Sequence, residues 1–301
     1  MIAFSPEDLW RPVERLSIVT PLGIRFWDPA FDVPVEDGLS VTAYPFGTDF
    51  PPSPGRLTPS GVYAFHALPG LHDVEYPQGD PNDPGSLPAS RRFQIVVTDS
   101  AARFVPVSFA IDAPFRGIFP TDVAPGPGMT APPGFYLFSA PTRSASPLVA
   151  LVRAQLSERL DATAERPAAY AVIELDAPGG DTWIGIADER GAVALLFPYP
   201  TFTGPSTTSL PPTLPSGTGE QSWPVTLRVR YQPSALSFPA AGRLPELRTV
   251  LAQAPAAIWT ERAVPPGQTV AALSATLLFG QELVMRSGGE AGLLVGLGSL
   301  P

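Results

Sequence analysis

His66 and His72 are the only histidines in the chain. A Ser-His-Asp triad, a histidine general base or a histidine metal site would have to use one of them. Neither sits in a recognisable frame, because no G-x-S-x-G elbow and no H-E-x-x-H is present. His66 falls in an alternating strand, on the face opposite Tyr63 and Phe65, and His72 follows the Leu68-Pro69-Gly70 turn. Surface and loop roles account for both more simply than catalysis does. Asp188-Glu189 and the acids Asp28, Asp32, Glu36 and Asp37 are the material for a carboxylate pair of the kind that hydrolyses glycosides. Asp188-Glu189-Arg190-Gly191 reads more simply as a turn with Gly191 at a positive-φ position. Gly79-Asp80-Pro81-Asn82-Asp83-Pro84-Gly85 faintly resembles a calcium loop, but its prolines break the required spacing. Gly292, Gly296 and Gly298 open no helix and make no dinucleotide fingerprint. Trp10, Trp27, Trp183, Trp223 and Trp259 could form a carbohydrate platform, although tryptophans so dispersed are more often core or interface residues.

What is missing narrows the chemistry further. All 19 cationic residues are arginine, which excludes a P-loop lysine, a Schiff-base lysine and a lysine general base. There is no cysteine, hence no disulfide, thiol nucleophile or zinc–thiolate site. The net charge is −9, and no cluster of cations marks a phosphate-binding groove, so nucleic acid is not an expected partner. No apolar run approaches the roughly 18 residues of a membrane-spanning helix. Met1 to Trp10 lacks the basic and apolar regions of a secretory signal. A cytoplasmic protein is expected.

The elements that would carry these residues are strands. Forty prolines are scattered among apolar runs in 301 residues. That pattern disfavours long helices and favours short strands joined by stiff loops. Phe93, Ile95 and Val97 alternate with Gln94, Val96 and Thr98, and Val105, Val107, Phe109 and Ile111 alternate in the same way. Residues 148–160 fit a strand or a helix face; bracketing prolines favour a strand to about Leu156. Ser5-Pro6-Glu7-Asp8 reads as the start of a short helix ended by Pro12. Leu244 to Gln253 reads as another, followed by apolar strands.

One pattern occurs twice. Gly61-Val62-Tyr63-Ala64-Phe65 runs on to Leu68-Pro69-Gly70, and Gly191-Ala192-Val193-Ala194-Leu195 runs on to Phe197-Pro198-Tyr199-Pro200. Aligning the two glycines places Tyr63 on Val193 and Phe65 on Leu195. Each reads as a turn glycine feeding a strand that stops at a proline, and the recurrence suggests two related modules.

Gly61-x-Tyr63-x-Phe65-x-x-Leu68-Pro69-Gly70 resembles the carboxypeptidase-regulatory-like, transthyretin-like β-sandwich family. Leu68 to Leu71, Arg92 to Asp99, Arg103 to Pro106 and the block Gly185 to Pro200 resemble proteins of gene clusters for contractile, phage-tail-like injection particles. The resemblance spans about residues 15 to 290. It implies a structural particle component with no catalytic residues to carry over.

The expected fold is therefore mainly β, with two antiparallel transthyretin- or immunoglobulin-like sandwich domains. Residues 1–14 form a helical arm, 15–120 the first sandwich and 121–133 a Pro/Gly linker. Residues 134–232 form the second sandwich, and 233–301 a β-rich segment packing on it or on a neighbouring subunit. No catalytic, cofactor-binding or metal-binding residue is assigned, and no cofactor is expected. The expected role is a non-enzymatic cap, collar or baseplate accessory of a contractile particle. Its partners would be further copies, in a six-fold ring, and other particle subunits, without membrane insertion. The alternatives are a solitary module binding a glycan or protein surface through its tryptophans and the loop Thr201 to Ser222, and, third, a carboxylate-based hydrolase.

Overall fold

The structure is a computed structural model that describes residues 18–48, 50–76, 90–115, 134–159, 164–200, 221–239, 244–261, 268–288 and 290–296. The expected arm 1–14, the linker 121–133, Trp10, the Gly79–Gly85 turn and nearly all of the Thr201 to Ser222 loop lie outside these residues. The protein is β-rich, with several sheets and two short α-helices among the described residues.

The strands of the first half are β1 (Leu22–Ile24), β2 (Phe26–Asp28), β3 (Val33–Pro34), β4 (Leu39–Pro45), β5 (Ser53–Pro54), β6 (Arg56–Leu57) and β7 (Tyr63–Phe65). After helix α1 (His72–Glu75) come β8 (Arg91–Asp99), β9 (Val107–Ala113) and β10 (Phe135–Tyr136). They form sheets ordered β1-β7-β6, β10-β2-β3 and β5-β4-β8-β9. The alternation in β8 does what it predicts, since Phe93, Ile95 and Val97 are all buried in one core with Phe26, Tyr63 and Phe65. Phe135 and Tyr136, expected to begin the second sandwich, instead pair in parallel with Phe26 and Trp27. Phe135 to Phe138 all pack into this first core.

The second half holds β11 (Val149–Arg159), β12 (Glu165–Pro167), β13 (Val172–Asp176), β14 (Thr182–Ile186), β15 (Ala192–Pro198) and β16 (Ser222–Arg230). Helix α2 (Leu247–Leu251) precedes β17 (Pro255–Trp259), β18 (Thr269–Val270), β19 (Leu273–Leu278), β20 (Glu282–Met285) and β21 (Leu293–Gly296). All the strands of this half join one eleven-stranded sheet system. The ambiguous segment 148–160 is strand β11, whose Val152 and Leu156 are fully buried. The C-terminal strands complete this system: β19 pairs with β16, and β20 and β21 run parallel to β11. Helix α2 places Leu247 and Val250 in the first core.

The two turn glycines have the same local structure. Gly61 and Gly191 sit at φ 73° and 77°. In the first turn, Thr58 N–H donates to Val62 O (2.9 Å), Gly61 N–H to Thr58 O (3.0 Å) and Val62 N–H to Thr58 Oγ1 (3.2 Å). In the second, Asp188 N–H donates to Ala192 O (2.8 Å), Gly191 N–H to Asp188 O (3.0 Å) and Ala192 N–H to Asp188 Oδ1 (2.9 Å). The strand leaving each turn also pairs alike. Tyr63 pairs with Ile24 and Phe65 with Leu22, while Val193 pairs with Ala154 and Leu195 with Val152. Partners are thus 39 and 43 residues apart in both halves. The surrounding antiparallel pairs match in chain order: β4 with β5 and β8, and β13 with β14 and β16. The strand ends differ. β15 runs to Pro198, whereas β7 stops at Phe65, because Ala67 turns the chain at φ 53°.

The buried Glu158 carboxylate is paired. Tyr231 donates its hydroxyl to Glu158 Oε2 (2.8 Å), and Arg166 binds the same carboxylate. Burial, and then the bond to Glu158, push the Tyr231 phenol up from 10.0 to about 12. Because the folded state holds this proton more tightly, the resulting stability is fully present below about pH 10. It is lost as pH rises towards 12. Urea midpoints of the wild type should therefore fall more steeply between pH 10 and 12 than those of Tyr231→Phe, and equal slopes would refute the assignment.

The glycine turns give a second expectation. A Cβ on Gly191 would lie 2.2 Å from the Leu156 carbonyl oxygen, a backbone atom that cannot swing away. Gly280 also has positive φ (72°), but a methyl group there would meet no atom within 4 Å. Gly280→Ala should cost roughly 1–2 kcal/mol of backbone strain, and Gly191→Ala on the order of 3–4 kcal/mol. Urea denaturation measures both, and equal losses would show that the Leu156 contact does not constrain the turn.

Candidate binding groove

A concavity lies on the first half, where the chain leading into and through β5 meets the segment that follows β7. It is an open groove of about 650 Å³, with Phe50, Pro52, Arg56, His66 and Tyr76 among its walls. A smaller hollow of about 210 Å³ adjoins it, lined by Phe46, Arg91 and Arg92 among others. Phe50 and Pro69 border both. Phe50, Ile18 and Phe46 are 58%, 52% and 43% exposed, so this apolar surface faces outward.

One organised polar pair sits in the larger groove. Glu75, at the end of α1, is buried, and accepts hydrogen bonds from His66 Nδ1 (2.9 Å) and Ala67 N–H (2.8 Å). Its own backbone oxygen accepts from Val19 N–H (3.0 Å). The carboxylate therefore fixes the His66 tautomer with the proton on Nδ1 and leaves Nε2 as the free nitrogen of a half-exposed ring. The left-handed Ala67 brings its N–H and the imidazole to the same carboxylate. Sequence reading placed His66 within the strand, on the face opposite Tyr63 and Phe65, but the strand ends at Phe65 and His66 follows it; that reading did not find Glu75. Nine residues and a Pro-Gly turn separate the two, and a one-turn helix leaves no periodic trace.

The other candidates are dispersed. His72 is exposed, lies 3.6 Å from Asp73 and packs on Tyr76. Asp28 is buried against Arg143. Asp32 accepts from Trp27 Nε1 (2.9 Å), and Asp37 pairs with Arg103 (2.7 Å), which Asp99 also holds. Glu36 packs beside Gly61. Asp188 caps its own turn, and Glu189 accepts from the Tyr170 hydroxyl (3.1 Å). Gly292 lies against the Gln155 carbonyl, and Gly296 against Trp259. Among the described residues, no three His, Cys, Asp or Glu side chains gather as metal ligands would. No described helix is long and apolar enough to cross a membrane.

The tryptophans separate too. Trp27 is in β2, and Trp259 lies under the Arg159 guanidinium. Trp183 stacks on Phe197, with ring centres 5.6 Å apart. Trp223 joins an aromatic strip, stacking on Tyr199 (5.3 Å), which also packs on the half-exposed Phe279 (4.8 Å). Gly280 N–H donates to the Tyr199 hydroxyl (2.8 Å) and fixes that ring.

Compared with protein-family models and with curated proteins, the chain matches none. The function must therefore be argued from geometry and from the motifs above.

Glu75, more than His66, should hold this part of the fold. Glu75→Ala removes the buried acceptor of the Ala67 amide and should cost about 1–3 kcal/mol. His66→Gln changes a half-exposed side chain and should cost less than about 1 kcal/mol. Urea denaturation orders the two, and the reverse ranking would make the imidazole the structural element.

Proposed function

We propose that the chain is a non-enzymatic assembly component of a contractile, phage-tail-like injection particle, a cap, collar or baseplate accessory built from two related β-sandwich modules. The observation that carries this reading is the recurrence of one strand plan in both halves. The same five-residue turn, the same 39- and 43-residue pairing offsets and the same order of neighbours recur. Duplicated sandwiches are a means of presenting surfaces, and fold alone does not assign a role. The step from fold to role rests on the resemblance of Leu68–Leu71, Arg92–Asp99, Arg103–Pro106 and Gly185–Pro200 to particle-associated proteins. Exposed apolar side chains on both halves, Phe50 on one and Leu148 (76% exposed) on the other, support subunit contacts. The partners in this reading are further copies of the chain and other particle subunits.

A second reading is favoured by one specific observation: the exposed Phe279 ring packs on Tyr199, itself backed by the buried Trp223, and so offers an aromatic face for a glycan. It would make the chain a solitary binding module.

Size-exclusion chromatography with light scattering separates the two. Full-length chain, alone or mixed with proteins encoded beside it, should form a defined assembly, and the double variant His66→Gln/His72→Gln should assemble equally well. A folded chain that stays monomeric in every mixture would overturn the structural role. Loss of assembly or activity in a folded double-histidine variant would favour a chemical role for the imidazoles.

A further inference from the structure

We infer that the paired hollows around Phe50 form a docking site for an extended peptide in which prolines alternate with carboxylates. This does not rest on the particle reading, because the site lies within one chain.

Charge comes first. The chain carries 28 acids against 19 arginines, yet the two hollows are walled by Arg56, Arg91, Arg92 and His66. Among the described lining residues the one acid is Glu75, which is buried and engaged by His66 and the Ala67 amide. The described walls therefore carry the sign opposite to that of the molecule, which favours an anionic segment.

Shape and apolar character select the rest. Phe46 and Phe50 are exposed aromatic rings within the site, and the Arg92 guanidinium lies 5.7 Å from the Phe46 ring centre. Exposed aromatic rings in a groove suit the flat faces of prolines, and the polyproline conformation leaves its carbonyls free to accept from arginine. Strand addition is the competing mode of peptide capture. Here Pro51 and Pro52, which lead into β5, and Pro54 within it remove backbone donors along that wall, so that edge cannot build a continuous ladder. Recognition must run through side chains. Arg91 is set in advance, its Nε donating to Gly70 O (3.2 Å).

The test is fluorescence polarisation with the full chain and a labelled twelve-residue peptide of alternating aspartate and proline. Saturable binding that weakens with added salt is expected. Arg56→Gln, Arg92→Gln and Phe50→Ser should each reduce affinity at least about threefold, and the triple variant at least about tenfold. All three side chains are on the groove surface, and an unchanged urea midpoint identifies variants that remain folded. An alternating arginine–proline peptide should not bind. No saturation with the aspartate–proline peptide into the millimolar range would overturn the proposal, as would unchanged affinity in the folded triple variant. Equal binding of an aspartate–glycine peptide would overturn the role of proline stacking and reduce the site to a simple anion sink.

Discussion

The buried ion pair between Asp28 and Arg143 ties the first half to the segment that leads into β11, beside the apolar contacts that Val172, Ile186, Leu247 and Val250 make with the first core. Both charged side chains are almost wholly removed from water. Arg143 also donates to Ser139 Oγ (3.1 Å), and its guanidinium lies over the rings of Phe104 (4.8 Å) and Phe31 (5.3 Å). Asp28 accepts in turn from Ala30 N–H (3.0 Å). Desolvating two charges is expensive, and attraction in a weakly polar interior offsets that cost only when the remaining donors and acceptors are satisfied. The planar arginine fork permits this, and a lysine would not. The contacts continue across the molecule: the Arg143 carbonyl accepts from Arg153 Nη2 (3.0 Å), and Arg153 pairs with Glu282 (2.8 Å). A chain of arginine contacts thus runs from β2 through β11 to β20.

That chain of contacts explains which parts of the fold the amino-acid pattern could reveal. Alternation in residues 93–97 and 107–111 reports strands with an apolar face, and those segments are β8 and β9, although Gln94 and Ser108 on the other face are buried as well. Gly191 after Asp188 reports a turn that needs positive φ, and it is there. Partner choice is different. Phe135 to Phe138 are buried on every side, so their sequence is an uninterrupted apolar run that names no sheet. Their place beside β2 is set by non-local contacts, including Arg143 reaching back to Asp28 across 115 residues. The parallel pairing of β20 and β21 with β11 is equally non-local. The groove was hidden for a related reason. Phe46, Phe50, Arg56, His66 and Arg91 come from three separate stretches, and only the fold brings them together.

Proline links composition to surface. β3, β4, β5, β12 and β15 all end in a proline, and β17 begins with one. At these points a strand has no N–H to offer a neighbour, which shortens the stretch over which a ladder can run. Side chains then carry more of any contact with other molecules. The outward-facing Phe46, Phe50 and Leu148 and the arginines beside the first two are the groups available for it.

The repeated turn shows why physical equivalence can outlast residue identity. Thr58 and Asp188 share only a side-chain oxygen at the right distance from the backbone, and each uses it to accept from the N–H four residues on. Between them and the glycines the residues differ wholly, Pro59-Ser60 in one and Glu189-Arg190 in the other. The turn needs an oxygen acceptor first and a residue tolerant of positive φ fourth, and it leaves the middle pair free. Aligned glycines and alternating apolar positions were therefore the only marks of the recurrence that residue identity could display. The hydrogen bonds and pairing offsets, which fix the geometry, are the stronger evidence of it.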